Sequence, residues 1–161
     1  MTVSVTLSFG RYLEEFQTGE QYVHCPGKTI TESDNNLFCL LTMNHHPVHL
    51  DVEYAKRAEH GRILVVGTLV FSVVVGLTVR DISGRAIANL GYDDVRHVAP
   101  VFIGDTVRAE SIVLEVRRSR TKPDRGTVRV ETRAYNQRDE LVLSFRRTVL
   151  VPVTPSGRRD V

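Results

Sequence analysis

The chain has 161 residues, 42% of them hydrophobic and 25% charged, with a formal net charge of +2. That length suits one compact domain with its own core, and the composition is that of a globular protein, not a disordered or fibrous one. So small a net charge leaves no electrostatic footprint for nucleic acid or an anionic membrane. The only two cysteines, Cys25 and Cys39, do not make a disulfide framework, so a reduced, cytoplasmic protein is expected.

A single domain over residues 1–161 is expected, with flexible ends at 1–8 and 153–161. The opening "MTVSVTLSFGRYLEEF" lacks the basic and apolar regions of a secretory leader. Around "EQYVHCPGKTI" the pattern predicts a strand or two. "TITESDNNLFCLLTM" follows, with Thr31 three residues before Asp34 as a near capping box. Leu37, Phe38, Leu40 and Leu41 then recur at helical spacing. The loop "LLTMNHHPVHLD" holds His45, His46 and His49 around Pro47 and beside Asn44. "DVEYAKRAEHG" reads as a short helix with acidic residues first, basic ones later and Gly61 at its end.

Residues 63–79, "ILVVGTLVFSVVVGLTV", form an uncharged apolar run bounded by Arg62 and Arg80. It is short for a membrane span, and its length favours a helix buried all round over a strand. The second half alternates with period two in "DTVRAESIVLEVRRSR", "GTVRVETRAYNQ" and "ELVLSFRRTVLV", with "AIANLGYDDVRHV" a weaker strand. "RTKPDRG" and "NQRDE" read as hairpin turns. A sheet with one dry face needs a cover, and the apolar helix supplies it. The expectation is an α+β domain in which a curved antiparallel sheet wraps a central apolar helix.

Two stretches resemble the MaoC-like, or (R)-specific enoyl-CoA hydratase, family of hot-dog-fold proteins. The first is "FCLLTMNHHPVHLDVEYAKRAEHGRILVVGTLV". The family shows a helix ending in Leu-Thr, then Gly-Asp-x-Asn-Pro-Leu-His, a short helix, and His-Gly-Met-Leu opening the central helix. Leu41, Thr42, Pro47, Val48, His49, Gly67 and Leu69 fit. The second, "VRHVAPVFIGDTVRAE", resembles the family's Arg-Phe-x-x-Pro-Val-x-x-Gly-Asp-x-Leu. The likeness extends over roughly residues 9 to 150. Departures are Met43 for the glycine, Asn44 for the catalytic aspartate, His46 for the asparagine and Val66 for the histidine. The overall pattern is similar to a branch acting on branched or dicarboxylic acyl-CoAs, such as mesaconyl- or itaconyl-CoA.

The resemblance implies a hydro-lyase that hydrates an enoyl-CoA or dehydrates its product, needs no cofactor or metal, and works as a homodimer or higher homo-oligomer. It also implies that His49 is the base, since an imidazole exchanges protons near neutrality and Pro47 stiffens its loop. Gly67, at the start of the apolar helix, is the expected oxyanion donor, because helix N-termini present unpaired N–H groups. The alternative for Gly67 is close helix–sheet packing. Thr68 beside it is expected to contact substrate. Asn44 cannot act as a base but can orient a water. His46 is a candidate second proton handler, and Asp51 can orient an imidazole; both are equally readable as solvated loop groups. The basic turn with Arg118, Arg120, Lys122 and Arg125 is expected to hold CoA phosphates, the alternative being ordinary charge that blunts an edge strand. Two other functions remain open: an acyl-CoA thioesterase, and a non-catalytic acyl-CoA binder, which the loss of the aspartate at Asn44 favours.

Overall fold

The computed structural model describes residues 9–155. Of the ends expected to be flexible, 1–8 and 156–161 lie outside the described residues. The start of the tail is anchored: the Val153 N–H donates to the Asp124 carbonyl at 2.8 Å, and both the N–H and hydroxyl of Thr154 reach the Glu14 carboxylate.

Five strands form one antiparallel sheet: β1 (Gln21–Thr29), β2 (Ala88–His97), β3 (Thr106–Arg118), β4 (Arg125–Tyr135) and β5 (Leu141–Pro152). Their order is β1-β3-β4-β5-β2, so β1 and β2 are the edges. Alternation places Val107 and Ala109 of β3, Val128, Val130 and Ala134 of β4, and Leu143, Phe145 and Val149 of β5 on the dry face. β2 read weakly because its ladder breaks twice, between Asn89 and Gly91 and between Asp93 and Arg96, with Asp94 at φ 52°. Such bulges interrupt period two.

Three helices follow the expected order: α1 (Glu32–Thr42), α2 (Val52–Arg57) and α3 (Gly67–Leu77). The predicted capping box closes α1: the Asp34 N–H donates to Thr31 Oγ1 at 3.2 Å and the Thr31 N–H donates to Asp34 Oδ2 at 2.8 Å. Asp51 caps α2 by accepting from the Tyr54 N–H at 2.9 Å; this commits the carboxylate to the backbone, not to an imidazole. The helix α3 packs Leu69, Val70 and Val74 against Ala109, Ala134, Leu143 and Phe145. Each large aliphatic side chain so buried contributes about 1.5–3 kcal/mol.

Two expectations need correction. The apolar helix is shorter than residues 63–79, because Leu64 bridges to Phe102 and the Val65 N–H donates to the Val101 carbonyl, which holds 63–66 extended. Nor is it buried all round, since Thr68, Ser72 and Gly76 form an exposed face at a spacing of four. In α1 the leucine stripe does not face the core. Leu37, Leu40 and Leu41 are exposed, while Asn35 and Cys39 are fully buried.

Asn35 is buried because its amide joins two separate backbones. Its Nδ2 donates to the His49 carbonyl at 2.9 Å, and its Oδ1 accepts from the Val66 N–H at 3.0 Å. A leucine there would leave both groups unsatisfied. A second polar strap crosses the core. His24 donates from Nδ1 to Asp81 at 2.7 Å, and its Nε2 lies 2.8 Å from the Ser111 hydroxyl, which in turn meets Thr132 at 2.8 Å. Burial pushes the His24 pKa below its ordinary 6.5, against the opposing pull of Asp81. Arg147, also buried, donates to Thr78 Oγ1 at 2.8 Å, placing a cation at the negative end of α3.

Replacing Asn35 with Ala should cost roughly 2–4 kcal/mol, because two buried backbone groups lose their partner; chemical denaturation measures this directly. Acid should also destabilise the fold through His24. A base whose folded pKa lies below its unfolded value binds protons more readily when unfolded. The stabilisation is therefore complete above about pH 6.5 and is lost as pH falls below that value. Urea midpoints between pH 8 and pH 5 should fall less steeply in His24→Gln than in wild type.

Candidate active site

A cavity of about 290 Å³ opens at the N-terminus of α3. Three chain segments meet there: the loop after α1, which brings His49; the entry to α3, which brings Leu64, Val65 and Gly67; and the end of β2 with the following loop, which brings His97 to Val101. His60 also lines it, and among the described residues no aspartate or glutamate does.

The local sequence sets each group. Pro47 opens a single 3-10 turn over Pro47–His49. That turn places His49 Nδ1 2.7 Å from the Leu64 carbonyl. A carbonyl only accepts, so Nδ1 carries the hydrogen, and Nε2 keeps its lone pair when the ring is neutral. Gly67 is the first residue of α3, with Val66 as its N-cap. Its N–H has no intrahelical acceptor, and the helix dipole adds partial positive charge at that point. A Cβ at position 67 would stand 3.0 Å from Cε1 of His97 and 3.2 Å from Nδ1 and Nε2. A larger residue there would push the His97 ring aside by a few tenths of an ångström.

The structure thus brings two of the expected catalytic residues, His49 and Gly67, into one cavity. It does not bring the others. Asn44 is half-buried on the loop, where its Oδ1 accepts from the His46 N–H at 3.4 Å; it does not line the cavity. His46 is turned to its own backbone: its Nδ1 accepts from the Val48 N–H at 3.2 Å, and its ring packs edge-on against His49 at 6.0 Å. Thr68 lies on the exposed face of α3 and also stays outside.

The basic turn is displaced further. Ala134 pairs with Leu143 beside the cavity, whereas Arg125 pairs with Pro152 at the other end of β4. Nine residues at about 3.3 Å each put Arg118, Arg120, Lys122 and Arg125 roughly 30 Å away along the sheet. Arg118 pairs with Glu14 and Arg125 with Asp124. The cation nearer the cavity is Arg62, whose guanidinium lies 3.6 Å from the centroid of Phe102; His60 meets the same ring edge-on at 5.7 Å. Among the described residues, no group of three or more His, Cys, Asp or Glu side chains is disposed to hold a metal. Nor is any helix among them long and apolar enough to cross a membrane.

Sequence reading missed His97, His60, Arg62 and Asn35. His97 was hidden by the bulge before it, which breaks the alternation that would have assigned its face. Asn35 looked like one more polar residue in an amphipathic helix. A buried amide in a helix interior leaves no periodic signal.

Comparison with known proteins agrees with this geometry. The chain is 37% identical over 142 residues to the mesaconyl-CoA hydratase of Cereibacter sphaeroides; the alignment covers 88% of this chain but only 41% of that enzyme. It is 30% identical over 115 residues to the (R)-specific enoyl-CoA hydratase of Aeromonas caviae, covering 71% of this chain and 81% of that one. A Mycobacterium tuberculosis protein described as a double hotdog fold superposes with a TM-score of 0.84 at 24% identity, over 94% of this chain and 47% of that one. The likeness shows the fold to be hot-dog. Residues 15–136 match the MaoC like domain, and the chain belongs to that family.

Proposed function

We propose that the chain adds water across the double bond of a short α,β-unsaturated acyl-CoA and catalyses the reverse dehydration. The observation that carries this reading is the shared cavity of His49 and Gly67. The thioester oxygen rests on the Gly67 N–H, where negative charge builds as C3 is attacked. A donor so placed contributes about 3–4 kcal/mol of transition-state stabilisation. Nε2 of His49 takes the proton of the attacking water. The tautomer set by the Leu64 carbonyl aims that lone pair away from the backbone.

The cavity volume, near the lower end for small-molecule sites, favours a short acyl group. The similarity to a mesaconyl-CoA hydratase points the same way, to a branched or dicarboxylic acyl chain. Arg62, free of any carboxylate bridge among the described residues, takes over the phosphate contact first assigned to the distant basic turn. A thioesterase would need a carboxylate to activate water at the thioester carbon, and none lines the cavity. Cys25 and Cys39 are both free thiols, which fits a reducing cytoplasm.

The active unit we propose is a dimer. Every residue of β2 is exposed, and Leu90, Val95 and Val98 present apolar side chains along this open edge. An unpaired apolar edge strand invites pairing. The chain spans less than half of the mesaconyl-CoA hydratase it resembles, which supports pairing with a second hot-dog unit.

Incubation with crotonyl-, mesaconyl- and itaconyl-CoA should remove the enoyl absorbance without releasing thiol, and His49→Gln should lower kcat by roughly 10²–10⁴-fold. Thiol release would establish the thioesterase instead, and neither signal the binder. Light scattering should give twice the chain mass, and Val95→Lys together with Leu90→Lys should give the monomer.

A further inference from the structure

We propose that His97 is a second catalytic acid–base residue for the reaction proposed above, donating to C2 the proton that completes hydration. The family pattern carries an aspartate where this chain has Asn44, and a phenylalanine where it has His97. One proton-handling group is lost and an imidazole is gained, and the gained one lines the same cavity as His49.

Its placement fits the role. His97 ends β2 with its Cα opposite Leu143, and the next residue is pinned by the Val98 N–H donating to the Val142 carbonyl at 2.9 Å. The ring therefore lies over Gly67, with three of its atoms 3.0–3.2 Å from where a Cβ would stand. A thioester oxygen held at the Gly67 N–H puts C2, one bond from the carbonyl carbon, beside this ring. C3, one bond further, faces His49. The steps balance. A water O–H bond breaks as its proton goes to His49 Nε2 and its oxygen bonds to C3. The C2=C3 electron pair moves onto the thioester oxygen, giving an enolate. When the enolate collapses, C2 forms a bond to the proton released by an N–H of His97. His97 donates as the imidazolium and ends neutral while His49 ends protonated, and proton exchange with water resets both before the next turnover.

The role rests on the hydratase reading, and the experiment separates the two. Wild type, His97→Phe and His97→Ala are assayed on crotonyl- and mesaconyl-CoA, with circular dichroism and Tm as controls for folding. His97→Phe, which installs the family's own ring, is expected to lower kcat by at least 100-fold with KM within threefold. Imidazoles of graded acidity added to His97→Ala should restore turnover in proportion to their acidity, a response that space-filling alone would not give. A fall in kcat of less than tenfold, or a rescue indifferent to acidity, overturns the role while leaving the hydratase reading intact. A folded wild type that hydrates neither thioester overturns both.

Discussion

The side chain of Asn35 is fully buried and uses both ends of its amide, one on the His49 carbonyl and the other on the Val66 N–H. These two backbones flank the cavity, the first carrying the imidazole and the second leading into α3. Val66 would otherwise add an orphan N–H at a helix entry. By taking that hydrogen, Asn35 fixes where the helix starts, and so which N–H comes first. By holding the His49 carbonyl, it fixes the turn that aims the ring. Without this link, loop and helix entry would be held by side-chain packing, the Leu64 carbonyl on His49 and the Leu64 N–H on the Val48 carbonyl, and a displacement of about 1 Å at a catalytic site costs around 10²-fold.

α3 is the other fixed element. Its apolar residues hold it against the aliphatic and aromatic part of the sheet's inner face, so its field acts through a low-dielectric surround. Its N-terminal end opens onto the cavity, while Arg147 occupies the C-terminal end through Thr78. Burial pushes the Arg147 pKa down, yet arginine stays protonated across any ordinary pH. One end of the helix is thus neutralised inside the protein. The other opens onto the cavity, where the hydration proposed above builds its negative charge.

Much of the architecture was legible because it depends on periodicity. β3, β4 and β5 alternate cleanly, and the caps Thr31–Asp34 and Asp51 follow from local chemistry at helix starts. The apolar run 63–79 announced a central helix, but not that its first four residues would pair with 101–102 instead. For the site, the family pattern and the chemistry of a helix N-terminus pointed to His49 and Gly67, which line the cavity, and to their neighbours Asn44, His46 and Thr68, which do not. In a tight turn, successive side chains point in different directions, and His46 was consumed by capping Val48. The basic hairpin lies at the other end of the sheet within one chain. Charge clustering says nothing of which end of a sheet carries it. His97 and Arg62 depend on contacts with Gly67 and Phe102, far along the chain, which no local pattern encodes.

Asn44 stands where the family pattern has a carboxylate, but it lies on the loop outside the cavity. Its amide accepts from the His46 N–H, which keeps the loop's shape. In the hydration proposed above, acid–base work rests on imidazoles, which accept and release protons near neutrality without demanding a permanent counter-charge. His49 is held by a backbone carbonyl and His97 by the end of a strand whose next residue is locked to β5. Both rings are thus carried by residues that main-chain contacts fix, and neither of those contacts runs through position 44.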